Sequence, residues 1–190
     1  QIVNNSEAPK IEQTEIVKEI TRSKAINSSQ RIEFENKFIK GSISLSNGGA
    51  IDDFVFKDYN QTLDSEEKIV LLNPSNVKDG YFFNTGWATN SDAEVPNSNT
   101  VWKIKSGTKL TPNNPIVLNY ENNQGIVFER KITLDEKYLF SVEQNIKNNT
   151  DKTYKFYPYS FLHRNSLQAD LKDFYILHEG YKFLSDGELE

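Results

Sequence analysis

The sequence predicts an all-β protein built as an antiparallel sandwich of sheets. Apolar and polar residues alternate with period two over most of the chain after Arg31, polar turns separate the alternating segments, and helical periodicity is sparse. The chain has 190 residues, of which 36% are hydrophobic and 26% are charged. This length suits one domain, and a chain of this size buries about 70% of its unfolded surface.

The first strong signal is a hairpin. Residues 41–46 alternate, so their apolar side chains share one face of a strand, and Asn-Gly-Gly at 47–49 supplies turn residues that tolerate positive φ. Residues 51–59 then return with aromatic and β-branched side chains. We interpret the glycine pair as a turn and not as a phosphate-binding loop, because strand residues follow it where a helix would be needed.

Further strand candidates follow in chain order. Short ones lie at 68–72, 81–83, 101–105 and 116–120. The clearest pattern is a hairpin of two long alternating strands, 126–134 and 138–146, joined by a charged turn. An aromatic run at 154–162 ends the series, and Pro158 inside it predicts an edge strand or a bulge.

The first thirty residues differ from the rest because they are polar and lack a dense core pattern. Four apolar residues could mark one short amphipathic helix, namely Ile11, Ile16, Val17 and Ile20. We predict a polar linker over 1–30 and a β-sandwich domain over 31–190. The chain contains no methionine, so we expect that a signal, a membrane anchor or a cloning-derived segment preceded residue 1.

The composition excludes several classes of site. Cysteine is absent, which rules out a disulfide framework, a thiolate metal site and a thiol nucleophile. The net charge of -5 argues against nucleic acid as a partner. No apolar run approaches the ~18–20 residues of a membrane span. P-loop, dinucleotide-binding and nucleophile-elbow motifs are also missing from the sequence.

The chain has two histidines, His163 and His178. A metal site built on them would need a carboxylate such as Glu179 or Asp173, and their spacing fits no pair on one helix face. We therefore interpret both histidines as surface or packed residues of β segments. We assign no metal-binding, cofactor-binding or catalytic residue.

Paired carboxylates and clustered aromatic residues are the other candidates, because sandwich enzymes that act on sugars use carboxylate pairs. Adjacent strand residues point to opposite faces, so neighbouring carboxylates should not converge on a substrate, and we expect solvated turns. The pairs are Asp52-Asp53, Glu66-Glu67 and Asp135-Glu136. The aromatic run could stack a sugar ring, but we expect one half of its alternation to pack into the core and the other half to cover it. Its members are Phe156, Tyr157, Tyr159 and Phe161.

Two stretches carry a family pattern. The first consists of IEFEN (32–36), GSISLSNGGAI (41–51) and FVFKDY (54–59). The second consists of FERKITL (128–134), YLFSV (138–142) and NNT (148–150). In their order and spacing, these segments resemble the large periplasmic domain of the YidC/Oxa/Alb family of membrane-protein insertases. The resemblance spans about residues 31–162, with a looser continuation through 178–180.

This resemblance implies a β-supersandwich similar to galactose mutarotase and related sugar-binding folds. It places the domain on the periplasmic side of the bacterial inner membrane, after an N-terminal membrane helix and before the helices that perform insertion. The family domain is longer than this chain. We therefore expect the sandwich at 31–190 to be incomplete, with further strands after Glu190.

The function implied by the resemblance is that of an accessory domain without enzymatic activity. The whole protein would insert and help fold inner-membrane proteins, with or without the Sec translocon. This domain would act as a spacer, dock Sec accessory subunits or offer a chaperone-like surface to nascent membrane proteins.

Two alternatives remain open. In a mutarotase-like or carbohydrate-binding protein, His163 with Glu179, or His178 with Glu143, would be the available acid–base pairs. A purely structural secreted sandwich is the third hypothesis. Oligomeric state is left open by the sequence.

Overall fold

The computed structural model describes residues 20–166 and, for the backbone alone, residues 184–185 and 188–189. The described residues form one helix and twelve strands. In chain order these are α1 (Arg22–Asn27), β1 (Arg31–Glu35), β2 (Ile39–Ser44), β3 (Ile51–Asn60), β4 (Lys68–Leu72), β5 (Tyr81–Thr89), β6 (Lys103–Ser106), β7 (Ile116–Glu121), β8 (Ile126–Leu134), β9 (Phe140–Asn148), β10 (Phe156–Arg164), β11 (Leu184–Ser185) and β12 (Glu188–Leu189).

Six strands form the first sheet, in the order β1-β2-β3-β5-β10, with β4 also paired to β3. All of its pairings are antiparallel. β3 changes partner along its length, because Ile51 pairs with Phe83 of β5 whereas Phe54 pairs with Leu72 of β4. β3 and β5 are therefore joined at a single residue pair.

The second sheet has the antiparallel order β6-β7-β8-β9. Its central strand β8 alternates as the sequence predicts. Every second residue of β8 is buried, and these are Ile126, Phe128, Arg130, Ile132 and Leu134. All five face the space between the two sheets; four of them are apolar, and the remaining one, Arg130, is charged.

Aromatic rings from both sheets meet in the core. Phe34 of β1 lies edge-on to Phe140 of β9, with ring centroids 5.0 Å apart. Trp87 of β5 packs against Phe128 of β8, with centroids 5.1 Å apart. Pairs of this geometry add about 0.5–1.5 kcal/mol each beyond the burial of their area. They hold the sheets face to face.

Backbone hydrogen bonds tie the two sheets together at two places. The Leu110 N–H donates to the Glu33 carbonyl at 2.8 Å, and the Leu110 carbonyl accepts from the Glu35 N–H at 3.0 Å. The Trp102 N–H donates to the Leu45 carbonyl at 2.7 Å. Within residues 20–166, β9 makes no backbone bond to the first sheet. A cleft lies beside β9, between the sheets.

The predicted fold class is confirmed, since nearly all regular secondary structure of the described residues is antiparallel β, arranged as a sandwich. β4 and β8 have the predicted bounds, and β10, which carries Pro158, is the last strand in the described order of the first sheet, as the proline predicts. β5 runs on to Thr89, well beyond the predicted 81–83. Its middle residues Asn84 and Gly86 have low strand propensity, but continuous pairing with β10 overrides that preference.

Helix α1 falls within the stretch 1–30 for which the sequence predicts a linker. Ala25 of this helix is buried, and Arg22 forms an ion pair with Asp53 of β3. The last part of that stretch therefore packs against the first sheet. Most of the amphipathic helix suggested by the isoleucine pattern falls on residues 11–19, which lie outside the described part of the chain.

Two tight sites require glycine. In the β2–β3 turn, Asn47, Gly48 and Gly49 have φ values of 55°, 70° and 77°, which confirms the predicted positive-φ turn. Gly41 of β2 is required for a different reason. A Cβ atom at this position would overlap the backbone carbonyl oxygen of Asp53 and come within 2.6 Å of the Phe34 ring.

Gly41→Ala is expected to lower the free energy of unfolding by about 3 kcal/mol or more, because backbone and a buried ring would both have to move. Gly125→Ala is the matched control. Gly125 has a φ of 86°, but the nearest atom to its added Cβ is 3.8 Å away, so only the conformational cost of about 1–2 kcal/mol applies. Urea unfolding compares the two, and equal losses would contradict the packing argument.

Candidate functional site

Arg130 projects from β8 into the space between the sheets, where only 2% of the residue is exposed. Its Nη1 donates to the Gly48 carbonyl at 2.7 Å, with longer contacts to the Gly49 carbonyl at 3.4 Å and to Asn84 Oδ1 at 3.5 Å. Its Nη2 donates to the Thr85 carbonyl. One side chain of the second sheet thus links the β2–β3 turn to β5, near the point where β3 and β5 share a single pair.

The charge of Arg130 is met by aromatic rings and carbonyl groups. Its guanidinium carbon lies 4.3 Å from the ring centroid of Trp102 and 5.6 Å from that of Trp87. Within residues 20–166, no carboxylate forms an ion pair with it. Burial lowers the pKa of Arg130 to about 10, so the side chain remains a cation at neutral pH.

The cleft beside β9 has a volume of about 620 Å³, and three of its lining residues adjoin Arg130. Thr85 supplies the carbonyl that Arg130 Nη2 binds. Gln144 pairs with Arg130 across β8 and β9. The Tyr159 hydroxyl interacts electrostatically with the guanidinium and partly offsets the effect of burial on its pKa. The cation therefore stands directly behind the cleft wall.

The expectation of a solvated turn is wrong for Asp52-Asp53. Both residues belong to β3 and are buried, with 1% and 8% of their surface exposed. Asp52 forms an ion pair with Arg31, and Asp53 forms one with Arg22. Asp53 also accepts a hydrogen bond from Ser42 Oγ at 2.6 Å. These carboxylates stabilise the first sheet and hold α1 against it.

A β-bulge explains why the sequence argument fails here. The pairing of β2 with β3 shifts by one residue after Ser42↔Asp53, which leaves Asp52 as the extra residue. Arg31 Nε donates to Ser42 Oγ at 2.7 Å, so both carboxylates meet the same Arg31–Ser42 pair. Burial raises the pKa of Asp52, and the charge of Arg31 opposes that rise.

The other two carboxylate pairs lie in exposed turns, as predicted. Glu66 and Glu67 precede β4 and are exposed, and Asp135 and Glu136 are exposed between β8 and β9. Asp135 Oδ1 accepts two backbone N–H groups of its own turn, each at 2.8 Å. This carboxylate shapes the turn, in the manner usual for aspartate.

His163 is half-buried in β10, with its ring centroid 5.4 Å from that of Phe82. Glu143 is exposed on β9. Three of the predicted partners lie outside the described residues, namely His178, Glu179 and Asp173. The histidine–glutamate pairs of the sugar-enzyme alternative therefore stay predictions. Among the described residues, no group of three acidic or histidine side chains could hold a metal ion.

The aromatic run of β10 divides as the alternation predicts. Phe156 is half-buried and packs edge-on against Phe128 of the second sheet, at a centroid distance of 5.7 Å. Tyr157, Tyr159 and Phe161 are exposed. The rings of Tyr159 and Phe161 stack at 6.2 Å with an interplanar angle of 23°. One part of the run thus joins the core, and the other covers the sheet.

Exposed apolar side chains occur on β3, on β4 and in the turns after β3 and β8. Four of them surround a second cavity of about 590 Å³, and two more lie in the adjoining turns. The most exposed is Leu63, at 101%, followed by Leu139 at 64%. We call this set the edge patch, and its members are Tyr59, Leu63, Ile69, Leu71, Tyr138 and Leu139. Exposed apolar side chains around a cavity typically mark an interaction site.

Comparison with known proteins matches a family described as the YidC periplasmic domain to residues 31–190. The chain belongs to the YidC periplasmic domain family. Proteins named membrane protein insertase YidC are 45% identical over 190 residues in Pelagibacter ubique (strain HTCC1062), 38% over 168 residues in Jannaschia sp. (strain CCS1) and 40% over 155 residues in Ruegeria sp. (strain TM1040).

These alignments cover 100%, 87% and 80% of the chain but only 34%, 27% and 25% of the respective relatives. The chain thus spans from 25% to 34% of the length of these YidC proteins. The resemblance to the YidC family that the sequence carries is confirmed. In the described part of the chain, no helix is long and apolar enough to cross a bilayer.

Sequence reasoning missed Arg130, although a signal was present. Arg130 occupies an inward position of an alternating strand, between Phe128 and Ile132. A charged residue in an apolar register is almost never fully buried unless it has partners. The charged residue in an apolar register could therefore have identified Arg130 as a buried, hydrogen-bonded residue of this YidC-family domain.

An ion-pair cluster joins β1 to β3 and to the segment before β7. Glu35 accepts hydrogen bonds from Lys109 Nζ at 2.7 Å and from Lys57 Nζ at 3.0 Å. These two bonds, with that to Lys109 the stronger influence, lower the pKa of Glu35 to about 2. The cluster is partly exposed, so its contribution to stability is screened by solvent.

Glu35→Gln is expected to reduce stability at neutral pH and to leave it unchanged near pH 2. Because the folded pKa of about 2 lies below the ordinary value of 4.5, the pairs stabilise the fold above about pH 4.5, and this contribution is lost as the pH falls through about 2. Urea unfolding across this range measures the difference between wild type and variant. Glu136→Gln, in an exposed turn, is the control. A loss for Glu35→Gln that does not depend on pH would refute the assignment.

Proposed function

We propose that the chain is the periplasmic domain of a multi-pass membrane-protein insertase, on the periplasmic side of the bacterial inner membrane. The whole protein inserts and helps fold inner-membrane proteins, with or without the Sec translocon. The family match over 31–190 and the printed names of the relatives support this proposal. The sandwich occupies 31–190, and residues 1–30, which include α1, connect it to a membrane anchor.

Within that insertase the domain serves as an accessory surface. It docks accessory subunits of the Sec translocon or receives apolar segments of nascent membrane proteins as they emerge. The observation that carries this proposal is the edge patch, which exposes two leucines in turns and four further apolar side chains around a cavity. Covering such a surface with an apolar partner contributes about 25 cal/mol per Å² of area removed from water.

The domain has no catalytic role in this proposal. Among residues 20–166, the buried charged groups are engaged within the fold, because Asp52 and Asp53 are ion-paired and Arg130 binds backbone carbonyls. Insertion itself then depends on segments outside this chain. The net charge of -5 is consistent with protein partners and not with nucleic acid.

The double substitution of Leu63→Asp with Leu139→Asp in the full-length protein is expected to slow insertion of a membrane-protein substrate by about threefold or more, because it removes apolar contact area and adds desolvation cost. Protease protection of the substrate in cells depleted of their own insertase measures this rate. Val101→Asp with Ile104→Asp is the matched control, since both residues are exposed apolar side chains outside the edge patch. Unchanged insertion with the edge-patch pair, or an equal defect with the control pair, would count against the edge patch.

A further inference from the structure

We propose that the cleft beside β9 binds a single-chain amphiphile with a carboxylate head, namely a long-chain fatty acid, with its head at the Arg130 end. This inference goes beyond the accessory role proposed above and does not depend on it. It rests on the arrangement of polar and apolar groups along the cleft, on the buried cation behind its wall and on side-chain polar atoms that lack partners.

The strand register divides the cleft into a polar end and an apolar remainder. At the polar end, Thr85 of β5 pairs with Ser160 of β10, and both residues line the cleft together with Gln144 of β9. Two residues further along the strands, Phe83 pairs with Leu162 at the same wall. The step from hydroxyl and amide groups to apolar groups matches a ligand with one polar end.

The apolar remainder leads toward the edge patch. Val142 follows Gln144 on the same face of β9, and Phe54 and Leu71 complete this part of the lining. Phe54 and Leu71 also line the second cavity, of about 590 Å³. The cleft has a volume of about 620 Å³. Each of the two cavities, taken separately, lies within the range of roughly 300–1,000 Å³ that is usual for pockets that hold drug-sized ligands. An alkyl chain fits that path, because it needs no polar partners.

Charge complementarity selects an anionic head. Arg130 is a buried cation without a paired carboxylate among residues 20–166, and attraction between charges is far stronger in a low-dielectric interior than in water. Its Nε and Gln144 Oε1 are buried and have no hydrogen-bond partner among the described residues. Gln144 can rotate its amide to present the N–H₂ group, and the hydroxyl groups of Thr85 and Ser160, which line the same end, can also donate. A carboxylate, which only accepts hydrogen bonds, suits this set of donors.

Calorimetric titration of the 190-residue chain at neutral pH tests the proposal without altering the protein. Three ligands of equal chain length are used below their micelle concentrations, namely dodecanoate, dodecan-1-ol and dodecyltrimethylammonium. Dodecanoate is expected to bind with a dissociation constant roughly tenfold or more below that of the cationic ligand, with the alcohol between them. Equal affinity for all three, or no binding of dodecanoate, would overturn the proposal.

A second arm locates the site. Val142→Trp fills the apolar part of the cleft and is expected to weaken dodecanoate binding roughly tenfold or more, while the melting temperature shows whether the variant is folded. Val101→Trp is the matched control at an exposed position, and it should bind as the wild type does. Binding that survives Val142→Trp would place the ligand elsewhere and contradict the proposal. An apolar peptide that binds where dodecanoate does not would show the cleft to be a peptide site instead.

Discussion

A buried cation, Arg130, joins the two sheets of this domain. Its hydrogen bonds and the space that its side chain occupies constrain much of the local structure. Arg130 reaches from β8 to the Gly48 carbonyl and to β5, close to the pair Ile51–Phe83 that joins β3 to β5. The turn at Gly49 must be free of a side chain, because a Cβ there would come within 2.8 Å of Arg130 Nη1 and 3.0 Å of the Trp102 ring. Hydrogen bonds to a charged group contribute about 1.5–3 kcal/mol each, more than neutral ones do.

Buried charge is stabilised in two different ways in this domain, by ion pairs at the β3 bulge and without an ion pair at Arg130 beside the cleft. At the β3 bulge, two carboxylates form ion pairs with two arginines, and the pair between Asp53 and Arg22 also holds α1 against the sheet. Arg130 has no such counter-ion among the described residues and depends on carbonyl groups and on the face of Trp102. The first arrangement is self-contained, whereas the second leaves a positive potential at the end of an apolar cleft.

The sequence predicted the fold well where a strand buries one face. The alternation at 126–134 gave β8 residue for residue, and the glycine turn after β2 was recognised from its positive-φ residues. The pattern failed where pairing is irregular. Asp52 is the extra residue of a bulge, where neighbouring side chains need not alternate between faces, so the expected solvated turn is a buried strand segment instead. The cleft could not be predicted either, because it depends on residues from β3, β5, β9 and β10 that meet only in the folded sandwich.

The central claim is that Arg130 clamps the sheets through its planar fork of donors, and urea unfolding of Arg130→Lys tests it most directly. Lysine keeps the charge but cannot reach a carbonyl of the β2–β3 turn and a carbonyl of β5 while stacking on Trp102. The account predicts a loss of about 2 kcal/mol or more, against less than about 0.5 kcal/mol for Lys131→Ala, the exposed neighbour on the opposite face of β8. A loss as small for Arg130→Lys as for Lys131→Ala would contradict it.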